Sequence, residues 1–267
     1  MNKIFDCITF FNENFIANLR FEILHKQVDH FVICESIYDH RGNKKKLNFK
    51  LLNNSFKNKI TYLIIQEPFN AKHNEWQNQA TQREYLFNGL KMANADDYIM
   101  FSDPDEIPNP KLFNNFELKK KYGIFFQKCF NFKFNLFNPH ETPWEGTRVA
   151  KKKDLKSIDF MRQKIKSKNL NYSFFRFDKE KSIELFNEGG WHFNNVMNPQ
   201  EISLKLTTFA HSEFSDPKFS DVKIIQDKIN RQVDLFDRGH KYFKIEIDKS
   251  FPQFIVDNKT IYQKWIL

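Results

Sequence analysis

Glycine and cysteine are scarce in this chain, with seven and three among 267 residues. The glycines, at 42, 89, 123, 146, 189, 190 and 239, form neither a G-x-G-x-x-G nor a Walker spacing. A phosphate cradle of glycine-rich backbone is therefore not expected. Cys7, Cys34 and Cys129 are far apart and contain no C-x-x-C pair, which argues against a disulfide framework and a thiolate zinc site. Cys7 and Cys34 lie inside apolar runs and are expected as buried, reduced thiols. No apolar run has the length of a membrane span. "MNKIFDCITFF" lacks the apolar core and cleavage site of a leader and reads as a first strand, so a cytoplasmic protein is expected.

What is present suits a folded, basic protein. A hydrophobic share of 40% is enough for a sizeable core. The 32 phenylalanines, with abundant Lys and Asn, have A/T-rich codons and so reflect genome composition rather than an aromatic function. A net charge of +9 favours anionic partners: phosphates, nucleic acid or an acidic membrane surface. The lysine runs at 44–46, 119–121 and 151–153 are short and read as solvated faces. No nucleic-acid-binding motif accompanies them, so a nucleic-acid partner is not expected.

The first hundred residues alternate strand and helix. "KIFDCITF", "HFVICES", "KITYLIIQ" and "DYIMFS" read as strands, and 13–26 and 77–92 as helices. Such alternation predicts right-handed crossovers and a mainly parallel, Rossmann-type sheet flanked by helices. The second half differs: "GIFFQKCFNFKFNLF" predicts a long antiparallel strand, 139–150 a polar loop, and 217–237 a helix. The whole chain, 1–267, is expected as one α/β domain. Its parts would be a nucleotide-sugar-binding half (1–108), an acceptor half (109–215) and a C-terminal helical extension (216–267).

"YIMFSDPDEIPNP", residues 98–110, carries the chemistry. Three acids in four positions repel one another unless a cation or solvent relieves them. In a parallel sheet ligands bind beyond the carboxyl ends of the strands. Asn12, Glu13, Glu35 and Asp103–Glu106 each follow a strand and should share one rim. With no glycine-rich cradle, a nucleotide diphosphate needs another counter-charge, and an Asp-x-Asp holding Mn²⁺ or Mg²⁺ supplies it. Pro104 and Pro108 would stiffen what is expected to be an exposed loop.

"FDCITFFNEN", "VDHFVICESIYDHRGNKK", "QREYL", "FSDPDEIPNP", "GGWHF" and "FAHSEF", in this order between residue 4 and about 215, resemble glycosyltransferase family 17. The family includes the animal enzyme that adds a bisecting N-acetylglucosamine to N-glycans. The chain departs from the pattern after "GGWHF", where "NNVMNPQ" stands in place of a small, glycine-containing segment. The animal members' membrane anchor and stem are not expected here. The resemblance implies a GT-A-like fold, a divalent metal and an inverting transfer. The donor would be a UDP-sugar, with UDP-N-acetylglucosamine expected, and the acceptor a glycan or lipid-linked saccharide, with peripheral membrane contact as a further expectation.

Within that frame Glu35 is placed to read the uridine, and Arg83, beside Gln82, to meet donor phosphates, a carboxylate of the acidic loop or a surface acid. Asp103 and Asp105 would hold the metal, Asp103 also facing the donor, with His192 or His211 as a third ligand. Trp191 would stack on the sugar or sit in the core. The base that takes the acceptor proton should come from the second half: Glu213 first, then Glu188 or Glu145. A phosphohydrolase is the rival, but that chemistry places its acids after the first strand.

Overall fold

Near-continuous apolar runs in the first hundred residues make strands that, apart from the half-buried one at the sheet edge (residues 60–65), are buried on both faces, as parallel strands under helices must be. The structure, a computed structural model, describes residues 2–267 and, at Ser212, the backbone only. It opens with β1 (Ile4–Phe10), α1 (Asn14–Leu24), β2 (His30–Ser36), β3 (Ile60–Ile65), α2 (Glu75–Tyr85) and β4 (Tyr98–Ser102). These strands pair in parallel in the order β3-β2-β1-β4. The order reverses at β1, so the carboxyl ends of β1, β2 and β4 form one rim.

A short β5 (Glu106–Pro108) follows the acids, then β6 (Tyr122–Asn131), β7 (Leu136–Phe137), β8 (Trp144–Lys151), α3 (Ile158–Lys164) and β9 (Ile183–Asn194). β8 lies between β4 and β6, antiparallel to both, while β9 runs parallel to β6 and antiparallel to β5. The chain finishes with α4 (Pro199–Thr208), α5 (Pro217–Ser220), α6 (Val222–Asn230), β10 (Phe243–Lys244) and α7 (Gln253–Asp257). This is the expected architecture: a mixed α/β fold with a parallel half and an antiparallel half.

Several boundaries differ from those read in the sequence. The aromatic run breaks at Phe132, which has a φ of 67°, so one expected strand becomes β6, a turn and β7. The polar loop at 139–150 is largely β8; this central strand is buried on both faces, with Thr147 on one and Arg148 on the other, which disguises it as loop. The helical pattern at 217–237 stops at Asn230, because Gln232 takes a left-handed φ of 57°. The final segment is not a helical appendage. Phe251 and Ile255 are buried in the main core, Trp265 packs on Phe15, and Asn135 donates to the Leu267 carbonyl. Among the described residues no helix is long and apolar enough to cross a membrane.

Candidate active site

The acids after β4 are not the exposed loop expected from the sequence. Asp105 and Glu106 are buried at 6% and 0% exposure, and only Asp103 is partly open. Buried carboxylates need partners, and α3 supplies one. Arg162 Nη2 lies 2.7 Å from both Asp103 Oδ2 and Glu106 Oε1. The Trp144 indole of β8 donates to the same Glu106 oxygen at 2.7 Å. Asp105 faces the other way: Lys205 Nζ of α4 is 3.4 Å from its Oδ2, and His192 Nε2 of β9 is 3.6 Å from its Oδ1. The Trp144 ring covers His192, with centroids 4.7 Å apart.

Electrostatics follow from this lacing. Burial pushes the Asp103 carboxyl up, but Arg162 and then Arg83 outweigh it and hold it at about 2. Burial works against the charges on Arg162 and Lys205, yet the facing carboxylates keep both protonated. Below the cluster, Arg20 of α1 is completely buried. It forks onto Asp6 of β1 at 2.6 Å twice, and reaches Ser102 Oγ at 2.6 Å and the Glu106 carbonyl at 2.7 Å. A guanidinium fork matched to a carboxylate is a rigid arrangement, and it fixes the acid turn to the first strand.

Asn12 and Glu13 line a cleft of about 280 Å³ with Asn198, Glu201, Lys205 and Trp265. Lys205 joins this cleft to Asp105. The Glu13 carboxylate itself folds back onto the amides of Phe11 and Asn12.

Other sequence candidates are placed differently. Glu35 is wholly buried and accepts from Lys45, the amides of Asn48 and Phe49, and the Tyr62 hydroxyl. With both oxygens saturated it anchors the segment after β2 instead of presenting a carboxylate to a nucleoside. Gln82 donates to the carbonyls of Phe10 and Cys34 and accepts from His40, tying β1 to β2. Arg83 donates to Asp159 of α3 at 2.9 Å rather than to the acidic turn. Its Nε is buried without an acceptor, as are Nε and Nη2 of Arg41.

Trp191 is a core residue, 5% exposed, with its indole on the Ser250 carbonyl. Successive strand residues face opposite ways, so His192 meets Asp105 and Trp191 does not. The glycine pair ahead of it answers a packing need: a Cβ on Gly190, at φ +133°, would sit 2.1 Å from the Ile107 carbonyl oxygen.

His211 and Glu213 pair with each other at 2.8 Å and are both largely open to solvent. His211 packs on Trp76, and among the described contacts neither residue reaches Asp103 or Asp105. Glu188 is exposed at an irregularity of β9, and Glu145 is occupied by Ser167 and Arg148. None of the three bases read from the sequence therefore touches the acids. Of the residues that do, His192 is named by the sequence, whereas Arg162, Lys205 and Trp144 are each a single polar position without a spacing signature.

Among the described residues no three His, Cys, Asp or Glu side chains are grouped to hold a metal ion. The hard donors the turn offers a cation are Asp103 and Asp105, the first engaged by Arg162 and the second by Lys205 and His192. Mg²⁺ commonly binds through one or two carboxylates with substrate phosphates completing its shell.

Acids and cations gathered beyond the strand ends of an open sheet define a ligand-handling α/β protein. The chain belongs to glycosyltransferase family 17, whose model matches residues 1–136. No curated protein matches it. Among solved structures, glucosyl-3-phosphoglycerate synthase from Mycobacterium tuberculosis, in complex with Mn²⁺, UDP-glucose and phosphoglyceric acid, is similar at 12% identity. That match covers 96% of this chain and 91% of that one, with a TM-score of 0.39. A 4-diphosphocytidyl-2C-methyl-D-erythritol synthase is similar at 10% identity, 76% and 97% coverage and a TM-score of 0.39. A glycosyltransferase involved in glycosylation of the major capsid of PBCV-1 gives 10%, 69% and 81%, and 0.33. These scores describe a distant likeness.

Proposed function

We propose that this glycosyltransferase moves a sugar, with N-acetylglucosamine the proposed group, from a UDP-sugar to a glycan or lipid-linked saccharide with inversion at the anomeric carbon. The observation that carries the donor reading is the acid–cation cluster itself. Asp103 and Asp105 sit at the carboxyl end of β4, Arg162 and Lys205 are kept charged beside them, and the buried Arg83 Nε lacks an acceptor. A diphosphate leaving group gains negative charge as the sugar–oxygen bond breaks, and fixed cations in a half-buried site stabilise that charge. Mn²⁺ or Mg²⁺, held by Asp103 and Asp105 with the donor phosphates, would supply further electrophilic stabilisation there. The cleft beside Lys205 is the proposed seat of the acceptor.

The test uses isosteres, because Asp105 is buried and its truncation to Ala would strand Lys205. Calorimetry with UDP and Mn²⁺ should show affinity falling at least about tenfold in Asp103→Asn and Asp105→Asn, the loss of about one charge-assisted contact. Affinity equal to the wild type in both variants would overturn the donor site.

A further inference from the structure

Between α3 and β9 the chain makes an arch whose residues 170–178 are all exposed. At its tip Phe174, Phe175 and Phe177 are 78%, 79% and 82% exposed. Phe174 lies 6.2 Å, centroid to centroid, from each of the other two, so the three rings form one cluster. They belong to none of the hydrophobic core clusters. A contiguous aromatic patch left in water marks a surface that something else covers.

The backbone beneath the rings tells what that is. Lys181 Nζ donates to the carbonyls of Ser173, Phe174 and Arg176 at 2.7, 3.3 and 3.1 Å. The Phe177 amide donates to the Phe175 carbonyl at 3.1 Å. Four successive carbonyls are thus satisfied inside the arch. A protein partner can supply donors of its own; a lipid environment cannot, so a segment entering it must close its own hydrogen bonds. Charge points the same way. Positions 164–181 hold Lys164, Lys166, Lys168, Arg176, Lys179 and Lys181 against only Asp178 and Glu180. Arg176 and Lys179 pair with Asp178 and Lys181 is turned onto the arch carbonyls, so the net positive charge rests on the lysines at 164, 166 and 168 that lead into the arch. Exposed aromatic residues in a segment of net positive charge suit an anionic lipid surface.

We propose that the arch is a membrane-docking loop that seats Phe174, Phe175 and Phe177 in the headgroup–acyl boundary of an anionic bilayer. Docking would bring α3, which carries Arg162, alongside the lipid surface. The attachment itself does not depend on the donor chemistry.

The experiment is co-sedimentation of the full chain with phosphatidylcholine vesicles, with and without phosphatidylglycerol, at low and high salt. The wild type should pellet with the anionic vesicles, and less so as salt rises. The triple variant Phe174→Ala/Phe175→Ala/Phe177→Ala should bind at least about tenfold more weakly, since each buried ring contributes apolar transfer free energy. Its melting temperature should hold, because the rings touch no core; if it does not, the single variant Phe175→Glu reads the same loss. A wild type that stays in the supernatant with anionic vesicles overturns the proposal, as does a triple variant that binds equally well. A wild-type dimer in sedimentation velocity that the triple variant converts to monomer would assign the rings to a second copy and overturn it too.

Discussion

Arg20 carries more of the site than any residue that touches the cleft. Its fork on Asp6 is a fully buried ion pair, Nη2 of the fork also donates to Ser102 Oγ, and Nη1 donates to the Glu106 carbonyl. Removing one partner leaves an uncompensated charge in the interior. Asp6→Ala should therefore cost about 3–5 kcal/mol in urea unfolding, far more than a surface ion pair is worth. Glu213→Gln is the opposite case. Its partner is the solvent-open His211, and it should leave turnover within about threefold of wild type, where loss of a true general base costs about 10²–10⁴-fold. Progress curves with any accepted donor decide it. The acids of "SDPDEIP" are legible in the sequence because three of them share one short turn. Arg20, Arg162 and Lys205 are not, because the positions that neutralise them are 56 to 100 residues away or hidden in a strand, as Asp6 is.

Elements show the same division. β1 to β4 are readable because buried parallel strands are plain apolar runs. β8 is hidden: a central strand burying Thr147 on one face and Arg148 on the other satisfies these polar groups through Ser102, the Glu106 carbonyl and the carbonyls of Glu145 and Gly146, and none of that leaves a hydrophobic period. The glycine pair of β9 is legible as a motif, and its reason is close approach to the Ile107 carbonyl. Gly190→Ala would force a Cβ into the Ile107 carbonyl at a φ that L-residues rarely adopt. It should lower stability by more than about 2 kcal/mol, read as a fall in melting temperature. Since β9 carries His192 to Asp105, the same change should loosen UDP binding.

For the molecule as a whole, acid sensitivity follows from two carboxylates. For both, burial raises the pKa, but Arg162 and Arg83 at Asp103, and Arg238 at Asp234, outweigh it and hold each below the usual 3.8, Asp103 at about 2. A depressed folded-state pKa contributes stability that is present above 3.8 and lost as pH falls from there toward about 2. Asp103 is one-third exposed, so solvent screens part of its share, whereas the Asp234 side chain is almost fully buried. The urea midpoint should be lower at pH 3 than at pH 6. Flat midpoints over that range would show that neither carboxylate is held as the structure places it.

The position of β8 has a consequence for how the chain is made. The four parallel strands are complete by Ser102, yet β4 gains its outer neighbour only when residues 144–151 arrive. Until then the outer edge of the largely apolar β4 is unpaired, a form prone to pair with another chain. The family model's match, residues 1–136, ends before that edge is covered. A fragment ending at residue 136 would therefore leave β4 without its outer neighbour, because that neighbour is β8.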